Sequence, residues 1–149
     1  MAQTDYLLRM IEQAGRLLAE LRRRILGGDV GPEESEARLG DAANQVGLDL
    51  DLLRTVSLDT LVTFMSPAGE PEPGRCWITA ELFFVDGHRE FSLGNVDAAR
   101  DCWERALRLY ALLDPGIIVR GFPEAGERIR EVTDALGSLD REGPEKYHP

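Results

Sequence analysis

Apolar and polar positions repeat with the period of an α-helix over the first 26 residues. Spacings of four and three separate the apolar residues Leu7, Ile11, Ala14, Leu18, Leu21 and Ile25. Such spacing places these side chains on one face of a helix. Thr4 or Asp5 can cap its start, and Gly27 with Gly28 ends it. The sequence therefore predicts one long amphipathic helix at the start of the chain.

The next stretch predicts three further helices and then a loop. Pro32 begins the second helix, because proline is tolerated at the first helical position. Two short helices follow at residues 49–56 and 58–65, and Ser57 caps the second of them. Residues 66–74 contain three prolines and two glycines, which is typical of a loop. This loop divides the chain into two helical halves that are small for independent domains, so we expect a shared core.

The second half of the chain continues the helical pattern. Residues 77–93 run without a turn signal for longer than an ordinary strand, which predicts a mostly buried helix. Residues 96–113 carry a second amphipathic stripe, and residues 117–119 are expected to form a short extended connector. Residues 124–136 predict a final amphipathic helix. The polar residues 141–149 are expected to be a disordered tail.

Together these segments predict an all-α fold of about five to seven helices in a single domain at residues 1–140. The 149 residues are 43% hydrophobic and 30% charged, as in ordinary soluble globular proteins. A net charge of −10 argues against binding to nucleic acid or to an anionic membrane. The apolar runs are too short to span a bilayer, and the N-terminus lacks the pattern of an export signal. Two cysteines suit a reducing compartment, so we expect a cytoplasmic protein.

The stretch from Ala80 to Leu109 contains the most specific motif in the sequence. Small residues lie where two paired helices would approach closely, and bulky residues lie beside them. In chain order these positions are Ala80, Phe83, Gly87, Gly94, Asn95, Ala99, Trp103 and Ala106. The stretch resembles a tetratricopeptide repeat, although Glu90 replaces the usual aromatic residue and the helix-ending proline is delayed to Pro115. The resemblance implies helical hairpins packed as a tetratricopeptide-like bundle.

The resemblance also implies a binding face on the first helix of the repeat. Tetratricopeptide repeats usually bind peptides along the concave face that their first helices form. On this chain the predicted binding face consists of Glu81, Phe84, His88, Phe91 and Ser92. We therefore expect a protein or peptide partner, with an apolar or basic segment favoured by the acidic surface. The alternative is that the N-terminal helices cover these side chains, which would then belong to the core.

Over most of its length the chain is also similar to a group of small bacterial helical proteins that have no assigned function. The similarity lies in residues 5–13, in the turn at residues 47–51 and in the single repeat. It implies a shape and a bacterial origin, and it supplies no activity.

The sequence offers few residues for catalysis or metal binding. It has no glycine-rich phosphate loop, no nucleophile elbow and no metalloprotease motif. His88 is the one plausible histidine base, and no orienting partner accompanies it in the sequence. In a hairpin, Cys76 and Cys102 are too far apart for a disulfide or for a shared zinc site with His88. We therefore expect no enzyme, no metal and no cofactor.

Three functional hypotheses remain open at this point. The first is an interaction module that binds a peptide or a partner helix at the predicted binding face. The second is a structural homo-oligomer, such as a homodimer, in which the stripe from Leu7 to Ile25 meets its own copy. The third is a small-ligand-binding protein or an enzyme that uses a pocket between the two halves.

Overall fold

The computed structural model describes residues 2–113 and 122–146, with side chains at residues 6–113 and 122–140. Within these ranges the backbone forms seven helices and no strand, which confirms the predicted all-α fold. The helices are α1 (Ala2–Leu26), α2 (Pro32–Gln45), α3 (Leu50–Thr55), α4 (Leu58–Phe64), α5 (Pro73–Ser92), α6 (Val96–Tyr110) and α7 (Ala125–Lys146). The connector predicted at residues 117–119 lies outside the described residues.

The helix α1 forms as its apolar stripe predicts, and it packs inside the chain's own core. Ile11, Ala14, Leu18, Leu21 and Ile25 are all buried. Leu7, at the start of the stripe, keeps 42% of its surface exposed. The seam considered for a homo-oligomer is therefore covered mainly within one chain.

The helices α1 and α2 form an antiparallel hairpin. Arg24 pairs with Glu34 at 3.2 Å near the turn, and the amide of Gln45 donates to Gln13 at 2.9 Å near the open end. Gly28 lies in the turn with φ of 74°, a left-handed conformation that glycine adopts without strain. The helix α1 therefore ends directly before Gly27 and Gly28, as the sequence predicts.

The helix α5 lies at the centre of the fold and packs against α1, α2 and α6. Two glycines determine how closely its neighbours approach. A Cβ on Gly74 would lie 2.7 Å from Cδ1 of Ile11, and a Cβ on Gly87 would lie 2.8 Å from Cε2 of Trp103. The side chains of α1 and α6 therefore pack directly onto the backbone of α5. The helix α7 packs in turn on α6.

The loop before α5 is shorter than the predicted range of residues 66–74. The carboxylate of Glu72 accepts hydrogen bonds from the backbone N–H groups of Gly74 and Arg75, and Pro73 occupies the first helical position. These are the features of a helix N-terminus. Gly74 consequently belongs to the first turn of α5, and the helix starts before Trp77, its predicted beginning.

The last helix continues beyond its predicted end at Leu136. Residues 141–146, expected to belong to a disordered tail, form the end of α7. Leu139 is buried, and Asp140 pairs with Arg100 of α6. Because these contacts hold the helix on α6, tertiary packing outweighs the low helix propensity of Gly137. Residues 147–149 lie outside the described residues.

Candidate functional site

The five residues of the predicted binding face lie along α5 and differ strongly in exposure. Glu81 and Phe84 are buried, at 4% and 1% exposed. His88 is partly buried, whereas Phe91 and Ser92 are exposed. The face is therefore accessible only toward the C-terminal end of α5. Side chains of α1, α6 and α7 cover the other part, whereas the alternative prediction named the N-terminal helices alone.

Glu81 anchors three helices to one another. The hydroxyl of Tyr110 on α6 donates to Glu81, and Nε of Arg128 on α7 donates to the same carboxylate oxygen at 3.0 Å. Burial raises the pKa of Glu81 against the opposing attraction of Arg128. Burial also raises the pKa of Tyr110, and the neighbouring carboxylate raises it further. This arrangement makes Glu81 a structural group that is out of reach of a partner.

Charged side chains from α1 and α7 cover the ring of Phe84. The guanidinium carbon of Arg22 lies 4.9 Å from the ring centroid, and that of Arg128 lies 5.3 Å from it. Glu131 connects the two guanidiniums, since it accepts from Arg22 at 2.6 Å and from Arg128 at 2.9 Å. Cations favour the face of an aromatic ring, and the bridging carboxylate compensates their charge. The cover over the predicted binding face is thus mainly polar.

Two arginines, Arg22 and Arg128, complete this site, and no local sequence pattern predicts their role there. Arg22 lies near the end of α1, and Arg128 lies on α7. The ion pair between Arg22 and Glu131 joins residues 109 positions apart. The one signal present in the sequence is position, because Arg22 borders the buried stripe beside Leu21 and Ile25. An arginine at such a border extends along the core surface toward the next helix.

His88 lies between two aromatic rings. Its ring centroid is 4.8 Å from that of Phe84 and 5.3 Å from that of Trp103, with an edge-on orientation to both. Its Nε2 is buried and has no hydrogen-bond partner within residues 6–113 and 122–140. Burial, followed by the charge of Arg22, lowers the pKa of His88 to about 4. The imidazole is therefore neutral at pH 7.

The accessible end of the face carries an exposed aromatic side chain that packs on a buried aromatic ring. Phe91 is 45% exposed, and its ring centroid lies 5.9 Å from that of the buried Trp103. Leu93, immediately after α5, is also exposed. Ser92 donates its hydroxyl to the carbonyl of Arg89 at 2.7 Å, within its own helix. Apolar surface at this end of α5 is thus held in place by the aromatic cluster below it.

A second charged cluster lies around Asp86, away from His88. Asp86 is buried and accepts two hydrogen bonds from Arg54 of α3, both at 3.0 Å. Arg54 also donates two hydrogen bonds of 2.7 Å to Glu36 of α2. These bonds and the neighbouring charges raise the pKa of Arg54. The cluster connects α2, α3 and α5, because Arg54 pairs with both Glu36 and Asp86.

The two cysteines are buried free thiols. Burial raises the pKa of Cys76 to about 11. Burial, followed by the charge of Asp86, raises the pKa of Cys102, whose thiol lies 3.6 Å from that carboxylate. Both groups are therefore protonated at pH 7, and a protonated thiol is a poor nucleophile and metal ligand.

The described residues contain neither a metal-binding cluster nor a helix that could span a membrane. No group of three histidine, cysteine or acidic side chains is placed to hold a metal ion in this part of the chain. No helix in the same part is long and apolar enough to cross a membrane. Comparisons of the chain with protein-family models, with curated proteins and with solved structures find no match.

Proposed function

We propose that the protein is a non-catalytic interaction module that binds a peptide or a helix of another protein at the C-terminal end of α5. The contact surface consists of Phe91, Ser92 and the accessible edge of His88. The observation that carries this proposal is the exposure of Phe91, 45% of whose surface faces solvent although its ring rests on the buried Trp103. Aromatic residues, phenylalanine among them, are enriched at protein interfaces.

The accessible end of the face has the physical properties of a small docking surface. Phe91 and Leu93 together expose apolar area at the end of a helix whose residues 76–87 are buried. A rigid helix end loses little conformational entropy when a partner binds. The tetratricopeptide resemblance supports the same location, because the family binds peptides on this helix. Under this proposal Glu81 and Phe84 support the surface from below and do not contact the partner.

The chemistry of the nearby groups supports a non-catalytic role. At pH 7 the neutral imidazole of His88 has no hydrogen-bonded acid, base or nucleophile among the described side chains. Cys76 and Cys102 are buried and protonated. The proposed setting is the bacterial cytoplasm, where buried free thiols remain reduced.

Affinity capture with matched variants tests the proposal. The baits are the wild-type chain, Phe91→Ala and Leu52→Ala, all carrying the same tag. Leu52 is the control because it is 49% exposed and lies on α3, so that both variants remove similar exposed apolar area. Equal helicity and equal melting temperatures establish that each bait is folded. We expect a protein that is retained by the wild type and by Leu52→Ala and is lost with Phe91→Ala; equal retention by all three contradicts the proposal.

A structural homo-oligomer remains the second candidate, and one observation favours it. Tyr6 and Leu17 are both exposed on α1, outside the buried stripe. Light scattering over a range of protein concentrations tests this candidate. A mass of one chain, 16.6 kDa, at all concentrations contradicts it.

A further inference from the structure

A cleft of about 320 Å³ lies between α1 and α2 at the surface of the fold. Its apolar part consists of Leu17, which is 45% exposed, and the buried Leu21. The remaining lining residues are charged side chains of the two helices: Glu20, Arg24, Arg38 and Asp41. Such a lining suits a group that has an apolar body and a polar tip.

Polar contacts between the two helices border the cleft at both ends. Gln45 donates to Gln13 at 2.9 Å before Leu17 in the chain, and Arg24 donates to Glu34 at 3.2 Å after it. These contacts join α1 to α2 on either side of the opening. The cleft is therefore preformed, and it accepts a side chain without any rearrangement of the helices.

The charges around this cleft cancel, unlike those of the whole chain. Two arginines and two carboxylates line it, and the ion-pair partners Arg23 and Glu34 add one charge of each sign, whereas the full chain carries −10. The cleft on α7 differs, because three carboxylates and one arginine line it: Glu127, Glu131, Asp134 and Arg130. A basic partner would favour the cleft on α7. Two copies of an acidic chain repel each other least where local charges cancel, so the cleft between α1 and α2 favours a second copy.

The same side of α1 carries an exposed tyrosine. Tyr6 is 62% exposed and lies eleven residues before Leu17, which is about three helical turns, so both side chains project in nearly the same direction. The ring of a tyrosine packs on leucines, and its hydroxyl donates to a carboxylate. Asp41 is available for this role, because it has no ion pair or side-chain hydrogen bond in the described part of the chain. The α1 side therefore presents both a projecting group and a cleft that fits it.

We propose that Tyr6 of one copy occupies the cleft over Leu17 of a second copy, and that the reciprocal contact forms a dimer with antiparallel α1 helices. A projecting group and its cleft on one surface permit a closed two-fold contact, whose axis would pass near Gln13. Arg22, which reaches Phe84 of α5, projects from another side of α1, so Phe91 stays accessible in the dimer. The contact specifies the homo-oligomer candidate and does not depend on partner binding at Phe91.

Sedimentation equilibrium of the full chain tests the proposal with matched variants. Tyr6→Ala removes the group that enters the cleft. Leu26→Ala is the control, because Leu26 is also 62% exposed and lies near the other end of α1. The contact is small for a specific interface, so we expect a dissociation constant on the order of 100 μM for the wild type. Tyr6→Ala should raise this constant by at least about tenfold, and Leu26→Ala by less than about twofold.

A photoreactive phenylalanine analogue at position 6 of the purified chain locates the contact. We expect a covalent dimer in which position 6 is joined to residues 17–24 or 38–41 of the second copy. A mass of one chain, 16.6 kDa, at concentrations well above the expected dissociation constant overturns the proposal. A dimer that Tyr6→Ala does not weaken, or a junction outside those residues, also overturns it. Each of these results leaves the proposal for Phe91 unchanged, because binding there requires no dimer.

Discussion

Replacing Gly87 by alanine tests the closest helix contact in the fold. An added Cβ would lie 2.8 Å from Cε2 of Trp103 and closer still to Nε1 and Cδ1. The indole has little room to move, because Nε1 donates to the carbonyl of Phe84 at 3.2 Å and the ring is buried. We therefore expect the substitution to push α6 away from α5 or to break this hydrogen bond.

The magnitude follows from three opposing contributions. Overpacking a core site typically costs about 1–3 kcal/mol, and a lost buried hydrogen bond costs about 1 kcal/mol. Alanine is the better helix former by about 1 kcal/mol, which offsets part of that loss. The expected net change is a decrease of about 1–3 kcal/mol in the free energy of unfolding.

Urea denaturation of two alanine variants measures this effect with an internal control. Gly15 lies in the middle of α1, and a Cβ there would meet no atom within 4 Å. Gly15→Ala should therefore gain about 0.5–1 kcal/mol, the intrinsic helix preference alone. A Gly87→Ala chain that is as stable as Gly15→Ala would refute the close approach of α6 to α5. Adding Trp103→Phe to Gly87→Ala should recover part of the loss, because the two sites are in contact.

Three further predictions concern buried polar groups. The first concerns His88, whose pKa is lowered to about 4 in the folded chain. As the pH falls from 7 to 5, the imidazole is protonated in the unfolded chain and stays neutral in the folded chain, so this residue lowers the free energy of unfolding by about 2 kcal/mol. A urea midpoint that falls no further in wild type than in His88→Gln contradicts this prediction. Asp86→Asn weakens the buried contact between Asp86 and the guanidinium of Arg54 and should lower the free energy of unfolding, measured in urea, by about 2–3 kcal/mol. Asp51→Asn is the control because Asp51 is 92% exposed, and it should cost under about 0.5 kcal/mol. Equal effects of the two substitutions would disprove the role of the cluster. Cys76 and Cys102 should react with a thiol reagent only after unfolding, and rapid reaction of the native chain at pH 7 would show that burial does not suppress their reactivity.

The helices could be predicted from the sequence because their signals are local. The stripe of α1 and the cap at Ser57 each depend on residues a few positions apart, and each forms as its pattern indicates. The end of α7 could not be predicted in this way. It depends on the burial of Leu139 and on the contact of Asp140 with α6, which only the folded arrangement supplies.

The candidate site was less predictable than the fold, because distant parts of the chain meet there. The resemblance to a tetratricopeptide repeat predicted one face with Phe84 and Phe91, and it contained no information about which end of that face would stay accessible. That outcome depends on Arg22 and Arg128, which reach the face from other helices. The same limit applies to Asp86, whose arginine partner lies 32 positions away. Charge pairs between distant residues produce no periodic pattern in a single sequence.

Photocrosslinking from position 91 in the native host tests the central claim most directly. A photoreactive phenylalanine analogue placed at position 91 keeps an aromatic ring on Trp103, and the same analogue at position 52 provides a matched exposed site on α3. The account predicts a discrete adduct of one partner protein from position 91 and none of that mass from position 52. Identical adducts from both positions, or none from position 91 in cells that contain the folded chain, would contradict the claim that this end of α5 binds a partner.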